Sequence, residues 1–246
     1  MSAIVAAAGD PLSQETRRWV VEATKYSRKA GPDGEGVHIE DEFGLGVAVL
    51  RTSPEELPPC QEGGAWMVAD ARLDGRAGLA TRLGLSPASG DTEVLLGAYL
   101  RWNDSFLDKV AGDFALAVWG GDRRLRCARD QLGVAPLHFA RVGAELLVAS
   151  SIEALLLHPK VPDDLDEAAV AEYLVQDWPT DANATSFRAI RRVPPAHELV
   201  WERGAVRLRR YWRPERWEPL LLLGRVPAPD TTDPTVGVLS YVDDDS

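Results

Sequence analysis

Between residues 113 and 149 four short strand-like segments follow one another with only a few residues between them. Asp113–Trp119, Leu125–Arg129, His138–Arg141 and Glu145–Ala149 are rich in apolar residues, and the links carry Gly120-Gly121-Asp122, Gly133 and Gly143. Links this short leave no room for a crossover, so the strands run antiparallel. A doubly wound parallel sheet is thereby excluded.

The flanking segments extend the pattern. Ile4–Ala8, Phe43–Leu50 and Ala65–Leu73 read as strands before the run, and Ala189–Val193, His197–Trp201 and Ala205–Tyr211 after it. Helices are predicted at Pro11–Ala30, capped by Ser13 and stopped by Gly31-Pro32-Asp33-Gly34, at Arg76–Leu83 and at Asp91–Trp102, with two short ones at Ile152–Leu157 and Glu167–Leu174. Pro-rich Ser53–Pro59 reads as a loop. Strands come in runs with helices between the runs, which is the α+β class. Residues 1–215 form the expected domain, and 216–246 an acidic, proline-rich tail carrying Leu220–Leu223.

Charge and thiols narrow the function. The net charge is −11, which disfavours wrapping nucleic acid. The cluster Arg207, Arg209, Arg210, Arg213 and Arg216 lacks a set of stacking aromatics and reads as a solvated strand edge. Cys60 and Cys127 have neither metal-ligand spacing nor enough partners for a disulfide framework, so they read as reduced thiols of a cytoplasmic protein. No metal or cofactor is expected, and there is no signal peptide or apolar run long enough to span a membrane.

The order of motifs then becomes specific. Gly112-Asp113-Phe114-Ala115-Leu116-Ala117-Val118-Trp119 precedes Ala128-Arg129-Asp130-Gln131-Leu132-Gly133-Val134-Ala135-Pro136-Leu137. Ser89-Gly90-Asp91-Thr92-Glu93-Val94 stands upstream. Ala149-Ser150-Ser151-Ile152-Glu153-Ala154-Leu155, Val193-Pro194-Pro195-Ala196-His197 and Tyr211-Trp212 follow downstream. These resemble, in order, the landmarks of the class II glutamine amidotransferase domain at the N-terminus of the asparagine synthetase family. The resemblance implies an N-terminal-nucleophile (Ntn) hydrolase-like four-layer αββα sandwich of two antiparallel sheets. The Arg129-to-Leu137 turn is expected to be structural.

In such domains the resemblance implies a cysteine exposed by removal of the initiator Met, attacking the glutamine amide with its own α-amine as base. Ser2 stands there in this chain, a nucleophile position with a far less ionised group. The family's N-G-E-I-Y-N oxyanion element corresponds to Ala69-Asp70-Ala71-Arg72-Leu73-Asp74. Ala69 replaces the Asn donor and Asp70 replaces the Gly, bringing negative charge towards a developing oxyanion. Arg51 and Asp91 match the positions that hold the substrate carboxylate and ammonium, although Arg51 reads equally as a surface arginine and Asp91 as a helix N-cap.

Val68-Ala69-Asp70-Ala71-Arg72-Leu73-Asp74-Gly75-Arg76 also resembles a stretch of the asparagine-synthetase-like cyclases of lasso-peptide pathways. The ATP-dependent half of such proteins is expected to be missing, and Val236–Ser246 reads as a decayed pyrophosphate loop or an unrelated acidic tail. The expectation is a domain without glutaminase activity, acting as scaffold or partner for an ATP-dependent synthetase half or peptide-maturation proteins. Self-association is open; nucleic acid and membrane are not expected. The alternatives are an amidohydrolase using Ser2 and an amino-acid sensor using Arg51 and Asp91.

Overall fold

The structure is a computed structural model of the chain, and it describes residues 2–51, 59–176, 180–181 and 183–213. The predicted loop before Pro59 and the tail from 214 onward lie outside the described residues, apart from Pro59 itself.

In chain order the elements are β1 (Ala3–Ala8), α1 (Gln14–Ser27), β2 (Gly34–Ile39), β3 (Phe43–Val49), β4 (Cys60–Glu62) and β5 (Ala65–Leu73). Then come α2 (Arg76–Leu83), α3 (Asp91–Trp102), a 3₁₀ segment Asn103–Lys109, β6 (Gly112–Trp119), β7 (Leu125–Arg129), β8 (His138–Val142) and β9 (Glu145–Ala149). The last are α4 (Ile152–Leu156), α5 (Glu167–Gln176), β10 (Ile190–Arg192), β11 (His197–Glu202) and β12 (Ala205–Arg210). They build two six-stranded sheets, ordered β10-β8-β9-β1-β3-β2 and β12-β11-β7-β6-β5-β4. Every described strand pairing is antiparallel, as the short links require.

Alternation along each strand assigns the layers. Ile4, Ala6 and Ala8 of β1 meet Phe43, Leu45 and Val47 of β3 and, from the second sheet, Val68, Ala115, Ala117 and Trp119. The intervening Val5 and Ala7 face Trp19, Val20 and Ala23 of α1. On the far side Met67 of β5 and Phe114, Leu116 and Val118 of β6 pack under Val94, Leu95 and Tyr99 of α3. The result is helix, sheet, sheet, helix: the αββα sandwich.

Two glycines let α1 lie directly on β3. A Cβ on Gly46 would overlap Thr24 Oγ1, and one on Gly44 would stand 2.9 Å from Val20 Cγ2. At the start of α1, Ser13 accepts the Thr16 N–H, and the Glu145 carboxylate receives the Ser13 N–H and the Thr16 hydroxyl. Both short edge strands β2 and β4 went unread in the sequence.

Candidate functional site

Ser2 leads into β1, so its position is fixed by a strand buried on both faces. Across the sandwich, Asp70 shares its side of β5 with core-facing Val68 and points back at the first sheet. The Ser2 N–H donates to Asp70 Oδ1 at 2.9 Å, joining residues 68 apart in sequence. The Ser2 hydroxyl oxygen accepts the Leu50 N–H at 3.1 Å. Ala69 faces the other way, into the cluster under α3.

A cavity of about 290 Å³ opens here, with an apolar wall of Val47, Val49, Met67, Val68 and Ala135 and a polar rim of Ser2, Asp70, Asp91, Asp113, Thr92 and Arg72. Among the described residues three carboxylates thus face one guanidinium, and Arg72 is already engaged by Asp74 and Asp113, each at 3.3 Å. A group that became anionic in this cavity would meet a net negative surround, which raises rather than lowers the barrier to forming it. Among the described lining residues there is no His, Lys, Cys or Asn.

Asp91 reaches the cavity but not as a helix cap. Gly90 is the N-cap of α3, Asp91 is the first helical residue, and its Oδ1 accepts the Leu73 N–H at 3.0 Å, tying α3 to the end of β5. Arg51 follows β3, where its N–H donates to Asp33 Oδ2 at 2.8 Å; its side chain is exposed, and Leu50 rather than Arg51 lines the cavity. The structure therefore brings Ser2, Ala69, Asp70 and Asp91 together and leaves Arg51 at the surface beside them. Sequence reading passed over Asp113 and Arg72; β5–β6 pairing sets Arg72 opposite Asp113 at the rim.

The opposite wall is held by the Arg129-to-Leu137 turn. Buried Asp130 accepts the N–H groups of Leu132, Val134 and Ala135, each at 3.0 Å. The Arg129 guanidinium donates to the carbonyls of Gly133, Ala135 and Val193. Gly133 has φ +71°, and a Cβ there would stand 2.6 Å from Pro195 Cγ. The thiols lie elsewhere: burial pushes both Cys60 and Cys127 up, keeping them protonated and poor nucleophiles. Among the described residues no three His, Cys, Asp or Glu are placed to hold a metal ion, and no helix is long and apolar enough to cross a membrane.

Residues 1–212 match the family described as the glutamine amidotransferase domain. Asparagine synthetase [glutamine-hydrolyzing] 3 of Bacillus subtilis (strain 168) is 34% identical over 128 residues, 52% of this chain and 21% of that protein. Amidase chry2 of Gibberella zeae is 28% identical over 182 residues, 69% of this chain and 26% of that protein. The matched part thus spans about a quarter or less of these curated relatives. The solved structure of glutamine phosphoribosylpyrophosphate amidotransferase from B. subtilis superposes with a TM-score of 0.61 over 85% of this chain and 49% of that one, at 16% identity, a likeness of fold alone.

Proposed function

Since the chain belongs to the glutamine amidotransferase domain family of asparagine synthetase-like proteins, we propose that it is a form of that domain which keeps the fold and the cavity but does not hydrolyse glutamine. The observation that carries this reading is the Asp70 carboxylate 2.9 Å from the Ser2 nitrogen. A fixed negative charge there opposes an oxyanion, and losing an oxyanion donor by itself typically costs about two to three orders of magnitude in rate. If Met1 is removed, the Ser2 α-ammonium faces the same carboxylate; an opposite charge favours the charged amine and leaves less free amine to act as the base. Serine in place of cysteine adds to the loss.

In this reading the domain serves as scaffold for an ATP-dependent, amide-forming half of the lasso-cyclase type, a choice supported by the Val68-to-Arg76 stretch. The test is ammonia release from millimolar glutamine by the purified chain. The expected rate is that of the blank; turnover at an ordinary enzymatic rate would overturn the proposal.

The hydroxyl of Ser2 at the cavity supports a second reading, an amidohydrolase using Ser2. It requires Ser2→Ala to abolish amide hydrolysis, and an unchanged rate would refute it. An amino-acid sensor is weaker, because Arg51 is not at the cavity and Asp91 already holds Leu73. A thermal shift with free amino acids at millimolar concentration is its test, and no shift counts against it.

A further inference from the structure

Away from the cavity, α5 presents an anomaly. A helix apolar around most of its circumference is normally buried, yet among its described side chains only Ala169 is buried. Tyr173 is 59% exposed, Leu174 77% and Val175 86%, with Leu165 beside them at 54%. The charge around this surface is one-sided: Asp163, Asp164, Asp166, Glu167, Glu172 and Asp181 line the segment, with no Lys or Arg between Lys160 and Arg188.

The complementary surface lies on the same chain. β12 is the outer strand of the second sheet, with Arg207, Arg210 and then Arg213 exposed, together with Leu208 and Trp212 at 40% and 37% exposure, while Arg209 between them is held by Glu198 at 2.8 Å. No acidic residue occurs between Glu202 and Glu215.

The two surfaces share one rim of the sandwich. β8 overlies β11, since Arg141 Nη2 donates to Gly204 O at 3.2 Å and Trp201 Nε1 to Ala144 O at 3.0 Å. β10 borders β8 and β12 borders β11, so both end strands fall on that side, β10 carrying the Ala184–Arg191 bridge on its outer edge. The α5 segment is fastened next to β10 through the Leu165–Phe187 bridge and the Asp166 N–H to Ser186 O bond.

We propose that this rim docks a second copy of the chain about a two-fold axis, the acidic, apolar α5 of each copy lying along the basic, apolar β12 of the other. A two-fold makes the contact twice with one pair of surfaces and closes the assembly. The lengths suit: ten helical residues span about 15 Å and six strand residues about 20 Å. Pairing α5 with α5 instead would set acid against acid. An open, exposed strand edge is also one that proteins commonly cover. On the β10 side Asp181 engages Arg191 at 2.7 Å within the same copy, and Arg188 and Arg192 border the surface, so Asp163, Asp164, Asp166, Glu167 and Glu172 still outnumber the neighbouring basic groups.

Sedimentation-velocity centrifugation of the full chain from 1 to 100 µM tests the proposal. A dimer is expected in low salt, with its dissociation constant rising at least tenfold in 1 M NaCl and in each of the double variants L174E/V175E and R207E/R213E. Circular dichroism melting keeps the variants comparable; the four positions are exposed, and either variant alone suffices if the other fails to fold. A monomer at every concentration, a dimer indifferent to both variants, or an open-ended polymer would overturn it. The outcome is independent of whether the cavity hydrolyses glutamine.

Discussion

The Arg129-to-Leu137 turn and the Ala69-Asp70 pair both border the cavity, and each contains an aspartate whose carboxylate accepts backbone N–H groups. Their situations differ. Asp130 is almost wholly buried and organises three amides of its own turn, while Arg129 collects three carbonyls, so both charged groups are committed to holding the turn. Asp70 is half-buried, bridges to another strand and stands on the rim of an open cavity. The turn residues are committed to holding the wall, whereas the Ala69-Asp70 positions border the cavity, where the proposed function places the loss of chemistry. Folding and catalysis on this reading place separable demands on neighbouring residues.

Breaking the turn gives the largest expected effect. Asp130→Ala leaves the buried Ala135 N–H without an acceptor, at about 1–3 kcal/mol, and removes two part-buried bonds to a carboxylate, those of the exposed Leu132 and Val134. A loss of about 3 kcal/mol in urea unfolding is expected; a loss under about 1 kcal/mol would mean the turn is not what holds this wall. Next comes a pH effect in the strand that follows the turn. Burial, with Arg192 nearby, pushes His138 down to about 4 from its ordinary 6.5. The unfolded chain therefore binds the proton first as pH falls from 6.5, so stability is complete above that value and declines until about pH 4. The decline is about 3 kcal/mol if the whole shift is realised. His138→Phe should flatten that part of the stability–pH curve, and an identical curve for the variant would remove His138 from the account.

Gly46→Ala forces a methyl against Thr24 and should cost about 1–3 kcal/mol by overpacking. Adding Thr24→Ala should recover part of that loss, a coupling visible in a double-mutant cycle; strict additivity would mean that α1 does not rest on Gly46. The smallest effect belongs to the rim. Asp70→Gly should change stability by under about 1 kcal/mol, since Asp70 is half-buried and its bond to the Ser2 N–H is partly solvated, and a drop like that of Asp130→Ala would erase the contrast between the two regions.

The layered fold was legible because it depends on local, periodic information: alternating apolar residues in β1, β3, β5 and β6, and glycine turns too short for parallel links. β2 escaped because Gly34-Glu35-Gly36-Val37-His38-Ile39 carries little apolar signal and is held mainly by its ladder to β3. β4 is three residues long, below the length at which alternation can be seen. Ser13 was readable as the cap of α1, whereas its long-range partner Glu145 was not. The site was half legible. Motif order pointed to Ser2, Ala69, Asp70 and Asp91, but the Ser2–Asp70 contact depends on how two sheets stack, and no local pattern encodes that. Arg51 turns to solvent because the end of β3 is bound by its backbone to Asp33, and Asp91 spends its carboxylate on Leu73 while Gly90 takes the cap.

The central claim is that the cavity no longer supports glutamine hydrolysis. The direct measurement compares ammonia release from glutamine by the wild-type chain and by Ser2→Ala at equal concentration. Both rates should equal the enzyme-free blank. A wild-type rate well above the blank that Ser2→Ala abolishes would contradict the account.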